Sequence, residues 1–128
     1  MKLLFIQLLL LPSLLLASSV ESLADISRAL GAGDVAALDK FLDSEVELSV
    51  LGADDFFSKA EATAQLKSFF AKHAATKFTQ IHTGTSPTTQ AEYCIGNLEA
   101  GGKTFRVVIY LAQVNGALKI KKMSFDEE

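Results

Sequence analysis

Downstream of Lys77 the chain shows no helical period, and turn residues cut it into four strand-like pieces. The pieces are Thr76–Thr85, Gln90–Glu99, Thr104–Gln113 and Ala117–Phe125, each rich in β-branched and aromatic residues. Ser86-Pro87, Gly101-Gly102 and Asn115-Gly116 separate them. The last two pairs are two-residue hairpin signals, since such turns need positive φ at both positions. In the third piece Phe105, Val107, Ile109 and Leu111 alternate with Thr104, Arg106, Val108 and Tyr110. Both sets are largely apolar, which predicts a strand inside the sheet. In the last piece Leu118 and Ile120 share one parity, Met123 and Phe125 the other. A bulge near Lys121-Lys122 reconciles them.

The preceding residues read differently. Leu23, Ile26 and Leu30 fall on one face of a helix over Ser22–Leu30, where Ser22 and Asp25 make a weak capping pattern. Gly31-Ala32-Gly33 is expected to break it. Asp34 caps a second short helix, with Val35, Leu38, Phe41 and Leu42 facing inward. Glu45 to Val50 alternates polar with apolar, the pattern of a half-buried strand, and Gly52 to Asp55 reads as a turn. Ser58 and Glu61 then form a capping box, and Ala62, Leu66, Phe69, Phe70 and His73 recur at helical spacing. Helices, strand, helix and four antiparallel strands, with no βαβ pattern, define an α+β fold: a curved antiparallel sheet with helices on one face. A length of 128 residues holds one such domain, over 20–128.

Residues 1–19 read as a signal peptide. Lys2 supplies a positive charge, Leu3 to Leu16 is apolar except for Gln7, Pro12 and Ser13, and Ala17-Ser18-Ser19 supplies small residues for cleavage. A membrane anchor is the rival reading, but a span needs about 20 apolar residues. No cysteine follows the run to accept a lipid. The expectation is a periplasmic or secreted domain with no stable membrane anchor once the leader is removed. Cys94, alone in an oxidising compartment, is expected to be buried.

Composition removes several function classes. A hydrophobic fraction of 49% excludes a disordered chain, and one cysteine excludes a zinc site built on several thiolates. A net charge of −3 gives no reason to expect nucleic acid as a partner. The charge is divided along the chain: residues 21–61 hold ten acids and three bases, residues 62–125 two acids and eight bases. Attraction between the two halves within one domain, or solvation of both faces, accounts for this; Lys119, Lys121 and Lys122 are expected to form a basic edge that blocks unwanted strand pairing, the alternative being a site for an acidic partner or anionic ligand.

Particular stretches carry a resemblance. They are Gly31-Ala32-Gly33-Asp34, Glu45-Val46-Glu47-Leu48, Phe57-Ser58-Lys59-Ala60 with Leu66-Lys67-Ser68-Phe69-Phe70, Ile81-His82-Thr83-Gly84, and Tyr93-Cys94-Ile95-Gly96-Asn97-Leu98. Over about residues 22–126 the chain resembles the DUF4783 family of small exported bacterial proteins, within the nuclear transport factor 2-like or cystatin-like superfamily. The resemblance implies a cone-shaped fold, a bent sheet wrapped on a long helix with a pocket between them. It assigns no activity. Enzymes of the superfamily, such as isomerases and dehydratases, place an acid and a base in that pocket, but function has to be argued from the site.

An isomerase-type site needs a carboxylate base and a donor for the developing oxyanion. Glu92 is the one carboxylate placed for it on the sheet. If Tyr93 and Ile95 face the core, Glu92 faces out. His73 continues the apolar stripe of its helix, and an imidazole at a helix C-terminus is stabilised there by the dipole. His82 shares strand parity with Phe78 and so points inward on this reading. Tyr93 and Tyr110 are hydroxyl donors on strands, where a core role is the ordinary one. The histidines lack acids at ligand spacing, so neither a metal nor another cofactor is expected. Two functions follow. One is a non-catalytic domain binding a small ligand or another protein, a homodimer through the open sheet face included. The other is a pocket enzyme of isomerase or dehydratase type using His73, His82 or Tyr93. The first is preferred, because no base with its orienting group is found.

Overall fold

The computed structural model describes residues 22–88 and 91–128, and the signal-peptide expectation falls on residues outside that range. The described chain opens with helix α1 over 22–32, followed by α2 (Val35–Asp39), strands β1 (Leu42–Val50) and β2 (Ala53–Ser58), and helix α3 (Lys59–Lys72). Strands β3 (Ala75–Thr85), β4 (Glu92–Ala100), β5 (Lys103–Val114) and β6 (Ala117–Glu127) complete it. The sheet order is β2-β1-β6-β5-β4-β3. All pairs are antiparallel except β1 with β6, which run parallel. This is the expected α+β architecture, a curved sheet with helices on its concave face.

Local chemistry sets most boundaries. Ser58 Oγ accepts from the Glu61 amide at 3.2 Å and Glu61 Oε1 from the Ser58 amide at 3.0 Å, so the capping box of α3 is complete. The amide of Ser58, aided by its hydroxyl, holds the Glu61 carboxyl below its ordinary pKa. Asp34 Oδ1 accepts from the Ala37 amide at 3.1 Å and starts α2. Two boundaries differ from the sequence reading. Helix α1 continues through Gly31 and Ala32 and ends at Gly33, where φ is 64°. Gly31 serves packing there, because a Cβ would lie 3.0 Å from the Phe78 amide nitrogen. Helix α2 stops at Asp39, and Leu42 opens β1 instead of extending the helix.

The residues read as a turn at Gly52 to Asp55 belong largely to β2. Leu51-Gly52 closes a hairpin with φ of 51° and 88°, although leucine is no turn former. The bulge expected near Lys121 is present. Tyr110 pairs with Lys122 and Leu111 with Ile120, so Leu118, Ile120, Met123 and Phe125 all reach the core.

Helix α3 buries Ala62, Leu66, Phe69 and Phe70 against the sheet. Phe69 lies 5.2 Å from Phe105 and 4.7 Å from Phe125 between ring centroids, and Phe70 stands edge-on to Phe125 at 6.4 Å. Interlocked rings of this kind add to the burial energy.

The basic edge is a correction. Strand β6 lies inside the sheet, between β1 and β5, so its lysines guard no edge. Lys121 pairs with Asp43, Lys122 with Glu47 at 3.1 Å, and Lys119 donates to the Lys40 carbonyl at 3.0 Å. The acidic first half and basic second half of the chain meet in these contacts. The Lys121 ammonium, followed by the Ser44 amide, holds the Asp43 carboxyl below its ordinary value, and Glu47 raises Lys122.

Candidate functional site

The register places the outward side chains in rows. One row crosses all six strands as Gly84, Tyr93, Tyr110, Lys122, Glu47 and Phe56. The next runs His82, Ile95, Val108, Ser124, Ser49 and Asp54. Tyr110 is 42% exposed and Phe56 63%, while Tyr93, Ile95 and Val108 are half-buried among their neighbours. Arg106 bounds the patch, donating to Asn97 at 3.2 Å and pairing with Glu128 at 2.5 Å. The face is thus an aromatic and aliphatic patch with charges along its sides.

His82 belongs to this outer face, contrary to the inward orientation read from its parity with Phe78. Ile81 is an extra residue in β3: Gln80 pairs with Gly96 and His82 with Ile95, so the alternation reverses at the bulge. His82 Nε2 then lies 3.1 Å from the Tyr93 hydroxyl. The Tyr93 ring passes over Gly84, where any Cβ would collide with it.

His73 is elsewhere. As the C-cap of α3 it donates its amide to the Phe69 carbonyl at 2.9 Å, and its ring packs 4.9 Å from Phe69 and 5.0 Å from Phe105. It adjoins Gly101, whereas His82 is opposite Ile95. Six residues of extended β4 separate those positions, about 20 Å. The structure therefore joins His82 to Tyr93 and leaves His73 apart from both.

Glu92 also changes face. Cys94, Gly96, Leu98 and Ala100 are the core-facing residues of β4, and Glu92 shares their parity. It stands opposite Thr85 on β3 and Leu111 on β5. Its Oε2 is sealed from solvent and has no hydrogen-bond partner among the described residues. Cys94 is buried, as expected, and burial pushes its thiol pKa up, so the floor beside Glu92 stays uncharged. Sequence reading singled out this carboxylate but turned it outward, because it assigned the inward face of β4 to Tyr93 and Ile95.

A cavity of about 340 Å³ lies between α1 and α2 over Ala29, Ala32, Ala37 and Phe41. Three of its rim charges are already committed: Asp25 pairs with Arg28 at 2.7 Å, and Asp34 caps α2. Among the described residues no cluster of three His, Cys, Asp or Glu is arranged to hold a metal ion, and no helix is long and apolar enough to cross a membrane.

A six-stranded curved sheet with helices on its concave side is the nuclear transport factor 2-like, or cystatin-like, architecture. Solved structures of that description align with the chain. One is an NTF2-like protein of unknown function from Silicibacter pomeroyi, with TM-score 0.64, 14% identity, and coverage of 91% of this chain and 98% of that one. Another is a protein with a cystatin-like fold from Nostoc punctiforme, with TM-score 0.66, 12% identity, and coverage of 88% and 90%. Residues 23–126 match the domain of unknown function DUF4783, and the chain belongs to that family. A DUF4783 protein from Bacteroides ovatus aligns with TM-score 0.77 and 27% identity over 82% of this chain and 94% of its own. No curated protein matches the sequence.

Proposed function

We propose that this chain is a non-catalytic binding domain, exported to the periplasm or beyond, whose outer sheet face docks a protein, namely a second copy of itself. The observation that carries this reading is the row from Gly84 to Phe56, which exposes Tyr110 and Phe56 on the outer face. Scattered exposed apolar residues are ordinary, but a contiguous patch bounded by charges is the pattern of an interaction surface. Second copies suit it because the rows are self-complementary. A two-fold axis parallel to the strands, between β5 and β6, relates one copy to the other across the centre of that face. The same rotation sets Arg106 over Asp126 and Tyr110 over Lys122, giving ion-pair and cation–π matches. Export is supported by the leader-like first segment and by a single, buried thiol.

Light scattering of the purified chain tests the proposal. The expected mass is twice that of one chain, and Tyr110→Glu together with Val108→Glu is expected to return a folded monomer. A monomer at high concentration in the unsubstituted protein sinks the reading.

A further inference from the structure

We infer that the cleft between α1 and α2 is a binding site for a small aromatic carboxylate, with its ring between the helices and its anion on Arg28 and Lys40. This does not depend on how the outer face is used, since other residues build the cleft.

The cleft exists because its walls are made of small residues. Asp25, Arg28, Ala29 and Ala32 recur at the spacing of one face of α1, and Ala37 with Phe41 lines the side of α2. Packed helices interlock their side chains across the contact. Methyl groups are too short to do so, and they leave the cavity of about 340 Å³. That is the small end of the range for ligand sites, about 300–1,000 Å³. The walls are within reach of a ligand. Ala32 is exposed, and Ala37 and Phe41 are half-buried, so an incoming ring covers apolar surface that is now wet. Phe41 also offers a ring for an offset or edge contact.

The rim decides which charge the ligand carries. Its two acids already have donors: Asp25 Oδ1 accepts from Arg28 Nη1 at 2.7 Å, and Asp34 Oδ1 from the Ala37 amide at 3.1 Å. Its two cations have donors to spare. A guanidinium holds its N–H groups in a planar fork, and Asp25 engages only the Nη1 end of Arg28. The edge formed by Nε and Nη2 is left to give a carboxylate two parallel charge-assisted bonds. Lys40 is exposed on the same rim, and its ammonium makes no ion pair among the described residues. The Lys119 ammonium donates to the Lys40 carbonyl at 3.0 Å and adds positive charge at that end of α2. The four rim charges sum to zero, so the anion is held by short hydrogen bonds and not by a field over the whole cleft.

The test is calorimetric titration of the purified chain with phenylacetate and with phenylacetamide, its neutral counterpart, alongside amide chemical shifts. Phenylacetate is expected to bind at millimolar concentration, about tenfold more tightly than the amide, with shifts centred on Ala32, Ala37 and Phe41. Arg28→Gln is expected to weaken phenylacetate about tenfold, the loss of a charged hydrogen bond, and to leave the amide unchanged. Asp25→Asn is expected to act in the opposite direction and tighten phenylacetate, because it removes the acid beside the fork. Ala32→Leu, at an exposed helical position, fills the cleft and is expected to abolish binding of both compounds at an unchanged melting temperature. The proposal is overturned by any of three results. They are no binding at millimolar phenylacetate, equal affinity for acid and amide, or shifts centred away from the cleft. All three are read on the unsubstituted chain, so they decide the matter whether or not a variant folds. The outer-face reading is judged by subunit number, which none of these results changes.

Discussion

His82 Nε2 lies 3.1 Å from the Tyr93 hydroxyl on the outer face of the sheet, and the tyrosine reaches it by passing over Gly84. The contact exists because of the missing side chain at residue 84. Gly84→Ala is therefore expected to push the ring off its strand and destabilise the domain by about 1–3 kcal/mol, the range for overpacking. Tyr93→Phe removes only a half-exposed hydroxyl and is expected to cost about 1 kcal/mol or less. Urea unfolding of both variants checks the order. A Gly84→Ala protein as stable as the parent would show that the ring is not held there.

Leu51 is 50% exposed and sits at φ 51°, in a conformation that costs a residue with a Cβ about 1 kcal/mol. The equivalent hairpin position before β6 is Asn115, at φ 52°. Leu51→Asn is expected to stabilise the domain by about 0.5–1 kcal/mol, read as a higher urea midpoint at unchanged slope. A lower midpoint would mean that the leucine makes a contact worth more than the strain.

The Asp43 carboxyl is held below its ordinary pKa, first by Lys121 and then by the Ser44 amide. The unfolded chain, titrating near about 3.9, takes up this proton before the folded chain does. The stability that Asp43 contributes is thus complete above that value and disappears as pH falls through the lower, folded one. Lys121 is half exposed, so the pair contributes about 1 kcal/mol or less at neutral pH. Asp43→Asn is expected to lose that amount at pH 7 and to show a shallower decline in melting temperature below pH 4. Parallel curves for the two proteins would refute the assignment.

Cys94 is buried to 1% exposure, and burial raises its thiol pKa. Thiolate is the reactive form, so iodoacetamide at pH 8 is expected to leave the native protein unlabelled for hours. Labelling in denaturing urea is expected within minutes. Rapid labelling of the native state would place the thiol in an open site.

Much of the architecture was legible in the sequence where the signal is local. Ser58 and Glu61 marked the start of α3, Gly101-Gly102 and Asn115-Gly116 marked two hairpins, and the parity change after Ile120 marked the bulge in β6. Strand β2 escaped because Asp54-Asp55 resembles turn chemistry and Leu51-Gly52 does not. The candidate sites were less legible. His82 and Glu92 were both assigned to the wrong face. β3 alternates too weakly to reveal its bulge at Ile81, and on β4 Tyr93 and Ile95 look more apolar than the Glu92, Cys94 and Gly96 set that is buried.

By itself, the sequence determined which segments become helices or strands and where most of them turn, because caps, positive-φ pairs and apolar periods act within a few residues. The tertiary structure alone decided that β6 lies between β1 and β5, that Lys121 and Lys122 meet Asp43 and Glu47, and that His82 meets Tyr93 while His73 stays apart. Strand order and facing depend on contacts between residues distant in the chain, and one inserted residue reverses every side chain beyond it.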